Sequence, residues 1–298
     1  MKFETVVMLE KVERQTNISG DSRQTKFIDL LPRCRNGQNT VEDWELLLEN
    51  SVNLINIQIF SDATRLYLEN EKVDKYNNER LSQLNMPIIN FLAINSSPAA
   101  RKLDSDQFGG LANSLYCAIN SKVYLTANVW TNTGLVNSAC GIIRDIIVAE
   151  DYKPGNLPEA ILIEFSEYSG PQFFDDDEPE KKNIIPINPI SFYCKTVNAT
   201  RTQIPIRLGY GMTIHKSQGQ TLTKAIIDLG KSEKSLGLTF VALSRLKNIN
   251  DFIIVPFPYD RLTKIKNSIN LIPRLNEEKR LNELIEKTLL NFKELLPN

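Results

Sequence analysis

The sequence predicts an α/β fold: a largely parallel β-sheet layered with helices, interrupted by a small all-β insertion and followed by a helical tail. Three observations carry this. Strand-like apolar runs alternate with amphipathic helical stretches over the first part of the chain. From about Cys140, strand-like runs follow one another with no helix between them, punctuated by Gly and Pro. After Pro205 the alternation returns and holds to about Phe257.

In order along the chain, Thr5-Val-Val-Met-Leu9 reads as a short buried strand. Phe27-Ile-Asp-Leu-Leu31 opens a helical pattern that stops near Asn36-Gly37. Thr40-Val-Glu-Asp43 has the spacing of a capping box, and the helix after it carries Trp44, Leu47 and Leu48. Ala63-Thr-Arg-Leu-Tyr-Leu68 is the next strand. Asn70 suits an N-cap for a helix bearing Val73, Tyr76, Leu81 and Leu84. Ile88–Ile94 and Lys122–Thr126 read as further strands of the same layer. The all-β stretch contains Gly141–Val148, Ala160–Phe165 and Ile190–Tyr193. Its acidic run Asp175-Asp-Asp-Glu178 reads as a solvated loop. From Pro273 the tail is helical, with Leu281, Leu284, Ile285, Leu289 and Phe292 on one face.

Composition narrows the function. The 298 residues are 42% hydrophobic and 24% charged, ordinary for a globular protein. The net charge of −1 leaves no global basic footprint, so a nucleic-acid role would need a local basic groove. Cys34, Cys117, Cys140 and Cys194 form no C-x-x-C pair, and one histidine cannot complete a Cys/His zinc site. They read as reduced cysteines of a cytosolic or nuclear protein. The single histidine also argues against a Ser-His-Asp hydrolase, since only His215 could serve. No apolar run approaches the ~20 residues of a membrane span. The N-terminus does not read as a signal peptide.

That histidine lies in the densest motif of the chain, Met212-Thr-Ile-His-Lys-Ser-Gln-Gly-Gln-Thr-Leu222. Further on comes a second compact block, Thr239-Phe-Val-Ala-Leu-Ser-Arg245. Thr213-Ile-His-Lys-Ser-Gln-Gly219 resembles motif V, and Val241-Ala-Leu-Ser-Arg245 resembles motif VI, of the Pif (petite integration frequency) family of superfamily-one DNA helicases. Leu9-Glu-Lys-Val-Glu-Arg-Gln15 is similar to that family's motif IV region. Ala63–Asn70 with Val73 and Asn77, and Lys122–Asn128 through Gly134–Asn137, are similar to further segments of its second motor domain. The resemblance covers about residues 5–257.

In that family two RecA-like domains sandwich ATP. The resemblance implies that this chain is the second, C-terminal one. Residues 1–139 and 204–258 would form a RecA-like parallel sheet, 140–203 a small Src-homology-3-like β-barrel insertion, and 259–298 a helical tail. A phosphate loop has the pattern G-x-x-x-x-G-K-[ST]. The nearest stretch here is Leu229-Gly-Lys-Ser232, and Ala225 stands where the first glycine belongs, so it reads as a turn after a strand. No strand ends in the Asp-Glu pair that would hold Mg²⁺. The complete helicase would use ATP and Mg²⁺, with neither held by this chain alone. It would move 5′ to 3′ on single-stranded DNA, and the missing N-terminal RecA-like domain would be its obligatory partner, with no membrane involved. A eukaryotic source would place it in the nucleus or mitochondrion.

By the same resemblance, Arg245 points at the γ-phosphate as an arginine finger, and Arg14 is a second catalytic arginine unless it pairs with Glu10 or Glu13. Thr213, His215, Lys216 and Ser217 meet the DNA strand. Gln218 and Gly219 touch the nucleotide cleft and couple the strand to it, Gly219 ending a helix. Thr64 and Asn70 either touch DNA or serve packing and capping. Gly209 and Gly211 depart from the alanine-like residues of the family. In a helix each would cost roughly 0.5–1 kcal/mol, the mark of a decayed copy. The alternative is a non-enzymatic nucleic-acid-binding or protein-interaction module derived from such a helicase, as a transposon might carry.

Overall fold

The computed structural model describes residues 5–7, 12–17, 20–52, 55, 57–174, 181–233 and 235–291. The chain divides into two units, one built from 1–70 with 212–298 and the other from 71–211. In chain order, the elements begin with helices α1 (Ser22–Asn36) and α2 (Val41–Leu48), strand β1 (Thr64–Tyr67) and helix α3 (Asn70–Ser82). Strands β2 (Ile89–Leu92), β3 (Ile94–Asn95), β4 (Ser114–Cys117), β5 (Lys122–Leu125) and β6 (Cys140–Ile147) follow. Next come β7 (Ala160–Glu164), β8 (Ile184–Ile187), β9 (Ile190–Cys194), β10 (Ala199–Gln203) and β11 (Ile206–Leu208). The chain then runs through β12 (Gly211–Thr213), β13 (Ala225–Ile227), α4 (Leu238–Leu243), β14 (Phe252–Ile254), α5 (Asp260–Thr263) and α6 (Leu271–Asn291).

The first unit holds a four-stranded sheet in the order β12-β1-β13-β14. β1 pairs parallel with β13 through Thr64↔Ala225 to Leu66↔Ile227, and β13 with β14 through Ala225↔Phe252 to Ile227↔Ile254. The strands are short and almost wholly buried, as parallel strands covered on both faces must be. Local signals set the helices beside it. Asp21 caps α1 by accepting from the Arg23 amide at 2.8 Å. Gly37 ends α1 at φ 67°, and a Cβ there would meet the Lys266 backbone nitrogen at 2.8 Å, so turn and close approach both require glycine. The capping box at α2 is complete: the Asp43 amide donates to Thr40 Oγ1 at 3.2 Å, and the Thr40 amide to Asp43 Oδ2 at 3.1 Å.

The second unit is mainly antiparallel. Its largest sheet runs β11-β5-β6-β7-β8, over a core that includes Val123, Leu125, Ile143, Ile161, Ile163 and Ile206. Two strands read from sequence as part of the parallel layer fall here instead. β5 pairs antiparallel with β6 and β11, and β2 pairs antiparallel with β4. The reason is topological. Parallel neighbours need a crossover, usually an α-helix, and only two short 3₁₀ turns lie between β2 and β5. The antiparallel sheet thus reaches beyond 140–203 at both ends.

Other expectations change too. Residues 5–7 are not in a strand and Val7 is 82% exposed, while Met8 and Leu9 lie outside the described residues. The acidic run 175–178, the start of the motif IV region (Leu9–Lys11) and Phe292 also lie outside them. Gly209 follows β11 and Gly211 opens β12, so neither is helical. A Cβ at Gly209 would meet the Tyr124 ring at 2.8 Å, and the Gly211 amide and carbonyl both bond the Asn77 side chain. The helix cost therefore applies to neither glycine, and Gly209 serves close packing. The four cysteines are free, and burial pushes the Cys34 and Cys117 thiols up to about 12. Among the described residues, no helix is long and apolar enough to cross a membrane.

Candidate nucleotide and nucleic-acid site

In the first unit, the two sequence motifs and the segment around Arg14 converge. α4 is six residues long, and Arg245 follows the Ser244 that ends it. Arg245 is 8% exposed. Its Nε donates to the Val241 carbonyl at 2.9 Å, Nη1 to the Gln220 carbonyl at 3.4 Å and Nη2 to Ser244 Oγ at 2.7 Å. Arg14 arrives from the other end of the chain. Its Nε donates to Thr221 Oγ1 at 3.0 Å and its Nη1 to the Ser244 carbonyl at 2.9 Å.

All of these acceptors are neutral. Among the described residues no carboxylate pairs with either arginine; Glu10 lies outside them. Burial, and then the positive charge of Arg14, push the Arg245 guanidinium down from its ordinary value to about 10. Two adjacent guanidiniums with only neutral partners form a site that an anion would stabilise.

The start of α4 is fixed as firmly. Gly237, at its N-cap position, gives no side-chain cap. Glu233 accepts instead from the Thr239 amide at 3.2 Å and hydroxyl at 3.1 Å. Buried Arg261 donates to Glu233 at 2.9 Å and twice to the Leu229 carbonyl.

The His215 motif leads out of β12. Thr213 is buried in that strand, and its Oγ1 accepts from the Lys216 amide at 3.3 Å. A 3₁₀ turn, His215–Ser217, follows. His215 is exposed and Lys216 half-buried. Ser217 is fully buried and its hydroxyl donates to the Ile214 carbonyl at 2.7 Å, so it shapes the turn rather than facing outward. Gln218 is exposed. Gly219, at φ 87° with open space around it, ends a 3₁₀ turn rather than an α-helix. The next three residues reach the arginines: the Gln220 carbonyl and Thr221 hydroxyl accept from them, and the Leu222 amide donates to the Arg245 carbonyl at 2.9 Å. Gln220 Nε2 also donates back to the Lys216 carbonyl at 2.8 Å.

Thus Thr213, His215, Lys216, Ser217, Gln218 and Gly219 lie on one continuous stretch, and the three residues after it bond Arg245 and Arg14. Thr64 is buried in β1, and Asn70 is exposed as the first residue of α3. Gly230 makes a turn after β13, its amide donating to Asp228 Oδ1 at 2.8 Å, in line with the turn reading of Gly230-Lys-Ser232.

Sequence relatives carry the same likeness over most of the chain. The ATP-dependent DNA helicase PIF1 of Danio rerio is 27% identical over 276 residues, 92% of this chain and 38% of the relative. The Pif1 helicase of Campylobacter jejuni is 30% identical over 200 residues, 63% of this chain and 41% of the relative. This chain is similar to the Pif1 DNA helicases. A crystal structure of a Bacteroides Pif1 helicase in complex with ADP-AlF3 and single-stranded DNA matches 93% of this chain and 57% of that one, with a TM-score of 0.61. At 20% identity this shows a shared fold, RecA-like around the parallel sheet. No family model matches the chain. It spans 38% and 41% of the length of the two Pif1 relatives above.

Sequence reading found the Pif1-like motifs but gave no role to Gln15, Gln220, Thr221 or Ser244. All four stand inside the quoted motifs. The bonds of Arg14 to Thr221 and Ser244, of Arg245 to Gln220 and of Gln15 to Ser244 join residues far apart in sequence, which no local pattern displays.

Proposed function

We propose that this chain is the C-terminal motor half of a Pif1-type ATP-dependent DNA helicase, the second of two RecA-like domains. Its five-stranded antiparallel sheet is the Src-homology-3-like insertion. ATP and Mg²⁺ sit on a separate RecA-like domain that carries the phosphate loop. Among the described residues no cluster of His, Cys, Asp and Glu could hold a metal ion. What the described residues do fit is phosphate: Arg245 and Arg14 present two cations to an anion brought from outside.

The observation that carries this reading is that arginine pair, whose partners among the described residues are all neutral. Charge growing on the γ-phosphoryl oxygens is neutralised by a planar guanidinium already in place, so little reorganisation is needed. His215 and Lys216 touch a single DNA strand by stacking and by phosphate contact. The 218–222 segment, bonded to both the His215 turn and the arginines, links strand position to the nucleotide.

The test is a composite protein. A first domain from a Pif1 relative, fused or added in trans, is expected to give DNA-dependent ATP hydrolysis that the isolated chain lacks. Arg245→Ala should then lower kcat by at least ~10², and Arg245→Lys should not restore it, since a point charge lacks the planar fork. DNA affinity should barely change. An Arg245→Ala composite with undiminished kcat overturns the assignment.

A further inference from the structure

Beside Arg14 stands Gln15, a side chain 5% exposed. Its Nε2 donates to two carbonyls, Ser244 at 3.0 Å and Leu246 at 2.7 Å, which flank Arg245. Carbonyls at a helix end lack intrahelical partners, so these two are satisfied by groups that reach them from elsewhere. Arg14 Nη1 donates to the same Ser244 carbonyl. One dipeptide therefore delivers the second cation and also pins the backbone that carries the first.

Resting on the nucleotide reading above, we infer that Gln15 is a positioning residue: it fixes the backbone on either side of Arg245 and sets the spacing at which Arg14 and Arg245 meet one anion. An amide is the group the place requires. It donates two hydrogens to two carbonyls and adds no charge beside two cations. A glutamate could not donate, a lysine would add a third cation, and a leucine would leave the Leu246 carbonyl without its donor and the Ser244 carbonyl to Arg14 alone.

The chain supplies its own control. Gln24 is 3% exposed and bonded in the same manner, its Nε2 donating to the carbonyls of Thr16 at 3.2 Å and Lys247 at 2.9 Å, its Oε1 accepting from the Ile249 amide at 2.9 Å. It docks α1 on the segment after Arg245 and bonds to neither arginine.

The experiment titrates inorganic tripolyphosphate into the ¹⁵N-labelled full chain and follows the Nε–Hε signals of Arg14 and Arg245. In the wild type both arginines should shift along one isotherm. Gln15→Leu should weaken binding by ~10-fold or more, as expected when charged groups lose their preset geometry, and split the two signals onto different curves. Gln24→Leu should lower thermal stability comparably yet bind within about twofold of wild type, because the arginine pair is untouched. Should Gln15→Leu not fold, Gln15→Asn, too short to reach both carbonyls, is read in the same way. Wild-type affinity with a shared isotherm in the Gln15 variant overturns the inference, as does equal weakening by Gln24→Leu. A wild type with no response at either arginine overturns the nucleotide reading, and this inference with it.

Discussion

Arg245 keeps a charge at 8% exposure with only neutral oxygens around it and a second arginine beside it. Such a group is destabilising for the chain, since its neutral hydrogen-bond partners only partly offset its lost hydration. Its pKa is lowered to about 10, so folding disfavours the charged form relative to the unfolded chain, although the group stays charged at neutral pH. The cost is therefore fully present below about 10 and fades as pH rises toward the ordinary value. Arg245→Gln, which keeps a donor and drops the charge, should raise the melting temperature at pH 7.5 by about 2–4 °C. The gain should shrink as pH passes 10. Tripolyphosphate should stabilise the wild type and leave the variant unmoved. Parallel melts across pH 7–11 check this; a variant less stable than wild type at every pH would make the arginine a structural group.

At the scale of elements, α4 is too short to fix its own orientation and is held by side chains from elsewhere at each end. Arg261, 1% exposed, is the hub of the first clamp. Arg261→Met would leave the Glu233 carboxylate buried without its cation, at a cost of about 3–5 kcal/mol in urea unfolding. Glu233→Gln in the same background should recover part of that, since a neutral amide tolerates burial. An Arg261→Met cost under 1 kcal/mol would show the clamp to be dispensable. What was legible in the sequence follows the same division. The capping box at Thr40, the stop at Gly37 and the turn at Gly230 could be read because each is complete within a few residues. The placement of β5 could not, since Val123 and Leu125 are equally apolar in either sheet and only their distant partners decide. Gln15 shows the limit most clearly. It sits in a polar stretch with no periodic pattern, and its two bonds cross to the far end of the chain.

For the whole molecule, the net charge of −1 gives no long-range attraction to a polyanion, so any affinity for DNA has to come from the His215 turn and its immediate surroundings. The proposed single-strand contact is then small: one exposed imidazole, one half-buried lysine and the backbone around them. Binding of single-stranded DNA by this chain alone should be weak, tolerant of sequence and salt-sensitive with a shallow slope, because a single lysine meets phosphate. Lys216→Ala should weaken binding across all sequences and lower the slope of log K against log salt by about one. His215→Ala should weaken it with the slope unchanged, since the proposed imidazole contact is stacking rather than charge. Ser217→Ala is the informative third variant. Its hydroxyl is buried against the Ile214 carbonyl, so it should act through the shape of the turn, lowering thermal stability along with affinity. Fluorescence anisotropy titrations at several salt concentrations, paired with melts, separate the three. Equal affinity of wild type, Lys216→Ala and His215→Ala at low salt would place the DNA strand elsewhere on the molecule and leave the His215 turn as a support for Arg245 alone.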